Sequence, residues 1–423
     1  MNAHDSETLA GLLESMGLEE TPDRTTADLV LFNTCCIRDN AERRALGNVT
    51  WLRQLKRSKP HLLIGVCGCM VQRPGMADRI LRQYPFIDLA FGTHNLHQLP
   101  SMLYELLTRR ERVIRVSSED TAIAEGLPIK RASDSKAYLT VMYGCDNYCS
   151  YCIVPYVRGR ERSRAMRDIL AEAESLLRSG VQEITLLGQN VNSYGNGTDE
   201  TFPALLRALD EMGVPRIRFM TSHPKDLSDG LIEAMARGSH ICNHLHLPVQ
   251  SGSDAILSAM NRRYTRERYL ERVGALRRDV PGIGLTTDLI VGFPGETEEQ
   301  FEQTVSLVQT VGYDSAYTFI YSPREGTAAA RLGGRLPDDV SSQRIGRLIR
   351  AVEEGSQEAY RGMIGTVERV LVESISKRDA SRVSGKGTRG ITITLDGGPE
   401  DIGKIIPVRI RSAAVNTLRG ERI

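Results

Sequence analysis

The sequence lacks an excess of charge, a long apolar run and an export signal, and each absence removes a class of function. Its 54 Lys and Arg residues nearly balance 53 Asp and Glu residues, so no field over the whole molecule attracts nucleic acid or a membrane. No apolar run approaches the length of a membrane span. The opening stretch, MNAHDSETLAGLLESMGL, has neither the basic nor the apolar region of a signal peptide. We therefore expect a cytoplasmic protein with no membrane partner.

The eight cysteines do not form the pattern of a disulfide framework, because they are few for 423 residues and stand in tight groups. This usage favours a reducing compartment and metal binding. In GCDNYCSYC, Cys145, Cys149 and Cys152 form a C-x3-C-x2-C run with no fourth Cys or His at finger spacing beside it. A structural zinc site closes its metal with four ligands. A four-iron cluster on three thiolates leaves one iron open, so the run favours a catalytic iron–sulfur cluster over zinc.

Changes of pattern along the chain predict three domains, at residues 1–125, 131–362 and 363–423. In the first, short apolar runs at 29–32, 62–66 and 87–91 alternate with amphipathic stretches, which predicts an open, mostly parallel α/β sheet. Cys35 and Cys69 follow the first two runs, and the carboxyl ends of parallel strands are where such sheets bind ligands. A polar linker, SSEDTAIAEGLPIKRASDSK, follows.

The second stretch alternates six strand candidates with amphipathic helices, which predicts a partial (βα)6 barrel with its function in the loops after the strands. The C-x3-C-x2-C run lies in the first of these loops. The strand candidates are residues 137–142, 182–187, 216–220, 244–248, 285–291 and 316–321.

The third stretch consists of short alternating strands broken by glycine, which predicts a small β-barrel. From residue 366 onward it has eleven Lys and Arg against seven Asp and Glu, and no Phe, Tyr or Trp. If this barrel binds RNA, it would hold the RNA through its phosphates rather than by base stacking. The candidate contacts are Lys386, Arg389, Arg409 and Arg419.

RGRERSR places Arg158, Arg160, Arg162 and Arg164 at alternate positions. On an extended strand all four would lie on one side and form a positive patch for RNA phosphates. The alternative is a solvated face of ion pairs that includes Glu161.

Six ordered motifs resemble those of the radical S-adenosylmethionine methylthiotransferases. They are YGCDNYCSYCIVPYVRGRERSR, LLGQNVNSYG, TSHPKD, LPVQSGSD, TTDLIVGFPGET and FIYSPREGT. The resemblance covers essentially the whole chain and implies that the last domain is a TRAM-like RNA-binding barrel. It is closest to the bacterial branch that adds a methylthio group to carbon 2 of N6-isopentenyladenosine beside the anticodon of tRNA.

The resemblance implies roles for particular residues. Cys145, Cys149 and Cys152 would hold a 4Fe–4S cluster whose open iron chelates S-adenosylmethionine, which one electron cleaves to a 5′-deoxyadenosyl radical. The cofactor would contact two further loops. Gly188, Gln189 and Asn190 would meet its methionine part, and Gly292 and Glu296 its adenosine or ribose.

The resemblance also implies an auxiliary 4Fe–4S cluster in the first domain, where the sulfur to be transferred is delivered. Cys35 and Cys69 match two of its three ligands. The third belongs in Cys-Gln-Met-Asn just before x-x-Asp-Ser-Glu, but this chain opens MNAHDSE, so that cysteine and the strand before it are missing. Cys36 and Cys67 stand nearby, but adjacent side chains point apart, so neither is expected to substitute.

The implied partners are the anticodon stem-loop of tRNA, a reductant such as flavodoxin and a sulfur donor, acting with a monomeric enzyme. Two alternatives keep the mechanism and change the substrate to threonylcarbamoyladenosine in tRNA or to an aspartate of a ribosomal protein. A third belongs to another class: a non-catalytic RNA-binding protein whose cysteines hold zinc.

Overall fold

The computed structural model describes residues 1–36, 39–117 and 123–423, with backbone only at 39–43. Its α-helices are α1 (Asn2–Ser15), α2 (Asp39–Ser58), α3 (Cys69–Gln72), α4 (Met76–Gln83), α5 (Leu99–Arg109), α6 (Val154–Arg158), α7 (Met166–Arg178), α8 (Phe202–Glu211), α9 (Asp229–Arg237), α10 (Asp254–Ala259), α11 (Arg266–Asp279), α12 (Glu298–Val311) and α13 (Asp338–Arg361).

The strands alternate with these helices until the last domain, which is built of strands. They are β1 (Leu29–Thr34), β2 (Leu63–Gly68), β3 (Leu89–Phe91), β4 (Val113–Arg115), β5 (Lys136–Thr140), β6 (Met142–Tyr143), β7 (Arg162–Ser163), β8 (Glu183–Leu187), β9 (Ile217–Phe219), β10 (His244–His246), β11 (Gly284–Val291), β12 (Ser315–Ile320), β13 (Val367–Ile375), β14 (Arg382–Lys386), β15 (Thr392–Asp396), β16 (Ile405–Ala413) and β17 (Leu418–Arg422).

The N-terminal sheet is parallel and has the strand order β1-β2-β3-β4. Its two faces carry separate apolar clusters, one with Ile64 and Val66 and the other with Cys67 and Leu89. The predicted open parallel sheet is confirmed. The strand β4 was not predicted. Of the predicted linker, residues 118–122 lie outside the described residues.

The central strands form two parallel sheets, β5-β8-β9 and β10-β11-β12. A bridge between Ile217 and Ile241 joins them, so six strands surround one large apolar core. This is the predicted partial (βα)6 barrel. Because every strand runs in the same direction, the loops after the strands gather at one end.

A small hairpin frames the cysteine loop. Met142 and Tyr143 of β6 pair antiparallel with Ser163 and Arg162 of β7. The predicted strand 137–142 is therefore two strands, and its second part leaves the barrel.

The C-terminal strands close into a barrel in the order β13-β14-β15-β17-β16, which confirms the predicted small β-barrel. It lies against the amino ends of the central strands, where Arg216 donates to the carbonyl oxygens of Arg369 and Gly387. It is thus at the end of the central barrel opposite the cysteine loop. Among helices in the described ranges, none combines the length and apolarity needed to cross a membrane.

Candidate active site

The cysteine loop runs from β6 to α6 and has a fixed backbone. Gly144 has φ +77°, and a Cβ there would lie 1.9 Å from the carbonyl oxygen of Arg160, so only glycine fits this turn. The amide of Cys145 donates to the carbonyl oxygen of Gly159, and that of Cys152 to Cys149. The three thiols are therefore presented by a loop with little freedom.

All three thiols are free, with Cys149 buried and Cys145 and Cys152 half-buried. Burial raises the pKa of Cys145 to about 11 and that of Cys152 to about 12. Asn147 Nδ2 lies 3.4 Å from Cys145 Sγ and donates to it. At neutral pH these sulfurs become thiolates only beside a positive partner, such as the iron of a cluster.

A buried arginine that sequence reasoning missed contacts the middle cysteine. Arg262 Nη1 donates to Cys149 Sγ at 3.3 Å, and Nη2 donates to the carbonyl oxygen of Pro248 at 2.6 Å. Nothing in the local sequence NRRYTRER separates Arg262 from its exposed neighbour Arg263.

Over the described ranges, no three His, Cys, Asp or Glu side chains stand close enough to hold a single metal ion. The thiolates of a four-iron cluster bind different irons, so their sulfurs need not meet at one point. Three free thiols on one rigid loop, with a buried cation beside one of them, fit such a cluster.

The structure brings the predicted loop after β8 to the cysteine loop. The amide of Gly144 donates to Gln189 Oε1, and a Cβ on Gly188 would lie 2.6 Å from Met142 Cγ. Asn190 is buried and donates from Nδ2 to Asp226 Oδ2 at 2.7 Å.

The predicted loop after β11 orients a buried carboxylate. Gly292, at φ +70°, donates its amide to Glu296 Oε2 at 2.9 Å. Arg344, which sequence reasoning also missed, donates to the same oxygen at 2.8 Å. Burial raises the pKa of Glu296. Two donors on one oxygen leave the other, Oε1, as an open acceptor.

A cavity of about 850 Å³ lies beside the cysteine loop, lined by Cys152, Met220, His246, Asp288 and Tyr321 among others. Seven buried polar atoms in the loops after the strands have no hydrogen-bond partner within the described part of the chain. They are Asn190 Oδ1, Asn192 Nδ2, Asn192 Oδ1, Ser222 Oγ, His223 Nε2, Glu296 Oε1 and Tyr321 Oη. Unpaired buried polar atoms are costly, and a polar organic cofactor fits beside them.

The N-terminal cysteines come from two strand ends. Cys35 follows β1, and Cys69 begins α3 directly after β2. Contrary to expectation, the Cys36 side chain does not point away from Cys69: a hydrogen bond joins the two thiols, raising the pKa of Cys36 and lowering that of Cys69. Cys67 packs in the cluster on the opposite face of the sheet, as its position in the strand predicts.

The predicted positive patch of four arginines is wrong. Arg158 ends α6 and is buried in an ion pair with Asp5, while its Nε donates to Cys69 Sγ at 3.3 Å. Arg164 is buried against Glu125 and Glu172.

Of the other two arginines, Arg160 is exposed and pairs with Asp146, and Arg162 is half-buried and donates to the Arg158 carbonyl oxygen. A helix end and a turn interrupt the run, so its side chains do not alternate as on one strand. The carboxyl of Glu161 instead accepts from the amide of Asp146.

Two of the four predicted phosphate contacts in the last domain also serve the fold. Arg389 is ion-paired with buried Asp314 of the central domain, and half-buried Lys386 donates to Thr392 Oγ1 at 2.8 Å. Burial lowers the pKa of Lys386. Only Arg409 and Arg419 of this set are exposed.

Family models match three successive parts of the chain. The Radical SAM superfamily model matches residues 139–308, the model of the Uncharacterized protein family UPF0004 matches residues 1–92, and the TRAM domain model matches residues 361–423. Among solved structures, the radical S-adenosylmethionine methyltransferase TsrM from Kitasatospora setae aligns with a TM-score of 0.56 at 15% identity, covering 78% of this chain and 70% of that one. At this identity the likeness concerns the fold alone.

Two curated relatives share the name tRNA-2-methylthio-N(6)-dimethylallyladenosine synthase. The protein of Clostridium perfringens (strain SM101) is 48% identical over 424 residues, which cover 100% of this chain and 95% of the relative. The protein of Alkaliphilus oremlandii is 50% identical over 426 residues, which cover 100% of this chain and 90% of the relative. This chain therefore belongs to the family of tRNA-2-methylthio-N(6)-dimethylallyladenosine synthases, which are radical SAM methylthiotransferases.

Proposed function

We propose that this protein adds a methylthio group to carbon 2 of N6-isopentenyladenosine beside the anticodon of tRNA. The observation that carries the proposal is identity of about half the residues, over the whole chain, with synthases named for that product. The cysteine loop, with its three free thiols, supports the same chemistry.

In this proposal Cys145, Cys149 and Cys152 hold one 4Fe–4S cluster. When bound, this cluster and S-adenosylmethionine supply radical chemistry, which an aromatic C–H bond requires because it has no acidic proton. Asn147 and Arg262 donate hydrogen bonds to two of the sulfurs. Gln189 accepts a hydrogen bond from the Gly144 amide and so connects the loop after β8 to the loop that carries the thiols.

The remaining polar groups bind the cofactor. Asn190 offers its open Oδ1, and Glu296 offers Oε1 while Gly292 and Arg344 hold its other oxygen in place. The cavity beside Cys152 takes the cofactor and the target base and limits the water that reaches them.

The auxiliary cluster lies at Cys35 and Cys69, and Cys36 is the thiol in contact with Cys69. A sulfur donor and a one-electron reductant such as flavodoxin serve a monomeric enzyme in the cytoplasm. The tRNA anticodon stem-loop is held through phosphates by Arg160 beside the cysteine loop, and another part of the tRNA by Arg409 and Arg419 on the C-terminal barrel, all exposed.

The test begins with reconstitution without oxygen and a count of iron, sulfide and zinc per chain. Two four-iron clusters give about eight irons. The loaded protein is then mixed with S-adenosylmethionine, a reductant and tRNA carrying isopentenyladenosine. The tRNA is digested to nucleosides, and mass spectrometry detects the methylthiolated product. A tRNA carrying threonylcarbamoyladenosine is the matched control. If only the control tRNA is methylthiolated, the substrate is threonylcarbamoyladenosine instead of isopentenyladenosine. If the protein holds stoichiometric zinc and no iron, it is not a radical enzyme and the proposed function is wrong.

A further inference from the structure

Arg262 is deeply buried and has a complete set of neutral partners. Only 4% of the Arg262 surface is exposed to solvent. Beyond Cys149 Sγ and the Pro248 carbonyl oxygen, its Nε donates to Tyr264 Oη at 3.0 Å, and its guanidinium carbon lies 5.3 Å from the Tyr264 ring centre. Tyr264 Oη in turn donates to the carbonyl oxygen of Val249 at 2.8 Å. The guanidinium is therefore fixed in one position against the sulfur.

No carboxylate that the structure describes pairs with this charge. In the described ranges, no Asp or Glu oxygen lies within 4.0 Å of the Arg262 nitrogens, although other buried arginines each have one. Those pairs are Arg158 with Asp5, Arg164 with Glu125, Arg216 with Glu183, Arg272 with Asp229 and Arg344 with Glu296. A buried charge without a counter-ion is strongly unfavourable, and an arginine cannot shed its proton. The site therefore requires an anion that protein carboxylates do not supply.

The neighbouring imidazole of His223 adds no negative charge. His223 is buried beside Tyr264, and burial and the charge of Arg262 lower the pKa of this imidazole, which stays neutral. Among the contacts of Arg262 with described residues, only Cys149 can become anionic and bind a metal. A four-iron cluster on three thiolates is anionic and gains a further negative charge on reduction.

We propose that Arg262 is the counter-cation of the cluster at Cys149 and raises its reduction potential. This inference rests on the proposed function. One electron passes from a one-electron donor, of which flavodoxin is an example, to the cluster. No proton moves, because the arginine is charged in both states. The fixed cation stabilises the reduced cluster more than the oxidised cluster, since its attraction grows with the negative charge.

The experiment measures the midpoint potential by electron paramagnetic resonance in protein carrying Cys35→Ala and Cys69→Ala, which leaves one cluster. Arg262→Met removes the charge, and Arg262→Lys keeps it. Arg272→Met removes a buried arginine that contacts Asp229 instead of a cysteine. At a fixed potential near the midpoint, we expect the ratio of reduced to oxidised cluster to fall at least tenfold in Arg262→Met, which corresponds to about 59 mV for one electron. Arg262→Lys and Arg272→Met stay near the parent.

Equal potentials in the parent and Arg262→Met, at equal iron content, overturn the inference while the proposed function stands. If Arg262→Met takes up no iron, Arg262→Lys decides: a parent-like potential supports the charge, and a tenfold fall in the ratio overturns it. A parent that binds no iron through Cys145 overturns the proposed function and this inference together, so the two failures are distinguishable.

Discussion

In both groups of cysteines an arginine contacts a sulfur, but the charge around that arginine differs. In each, a buried arginine donates to a sulfur at 3.3 Å: Arg158 to Cys69 and Arg262 to Cys149. Arg158 shares its charge with Asp5, whereas no carboxylate described in the structure pairs with Arg262. A sulfur beside a neutral ion pair and a sulfur beside a lone cation have different electrostatic environments, and cluster potentials follow such differences. The described residues therefore leave one more unbalanced positive charge beside the central sulfurs than beside the N-terminal sulfurs, which favours an anion at the central site.

The groups also differ in how they are assembled. The central thiols lie within eight residues of one loop, so local geometry sets their spacing. The N-terminal thiols come from the ends of two strands, and Arg158 reaches them from α6 of the central domain. The second group therefore depends on the docking of two domains.

The largest effect is expected from Cys145→Ala. It removes a ligand from the group that local sequence assembles, so about four irons per chain are lost and methylthiolation falls below detection. The measurements are iron analysis and nucleoside mass spectrometry. Cys242→Ala is the control, since Cys242 is a buried free cysteine outside both groups. Full activity without those four irons would show that the reaction does not need a cluster at Cys145, Cys149 and Cys152.

Asp5→Asn removes the carboxylate that pairs with Arg158, so that Arg158 then resembles Arg262. It leaves Arg158 buried without its carboxylate, which costs about 3–5 kcal/mol and moves the first urea-unfolding transition to lower concentration. Glu233→Gln breaks an exposed pair with Arg237 and costs less than about 1 kcal/mol. Equal stability of the two variants would show that Asp5 does not balance the charge of Arg158.

Cys36→Ala tests which thiols share the N-terminal site. With Cys145, Cys149 and Cys152 all changed to Ala, the remaining iron reports that site alone. Because Cys36 contacts Cys69, we expect Cys36→Ala to lower this iron by more than half. Cys67→Ala leaves it unchanged, because Cys67 packs on the other face of the sheet. The reverse order of iron contents would contradict the placement of Cys36 at the site.

The smallest effect concerns arginines far from both groups. Changing exposed Arg409 and Arg419 to Gln weakens tRNA binding and lowers the slope of log K against log salt by roughly 0.7–0.9 for each lost phosphate contact. Arg411→Gln is the control, since Arg411 is paired with Glu421. An unchanged slope would place the RNA on another surface.

Much of the fold follows from periodicity. The six central strands lie within a few residues of their predicted positions. The errors occur where tertiary contacts override alternation. RGRERSR reads as one strand, yet Arg158 ends a helix and pairs with a residue 153 positions away.

The sequence by itself determined the domain pattern, the three-thiol loop and the family, because spacing and periodicity are local properties of the chain. Only the tertiary structure decided which arginines are buried, which have a carboxylate, and that Cys36 and Arg262 contact the cysteines. The physical reason is that ion pairs and hydrogen bonds at these sites join residues from different elements. Asp5 and Arg158 meet across two domains, and Arg262 reaches Cys149 from 113 positions away. A charge has no local signature of its partner, so its role is fixed only when the chain has folded.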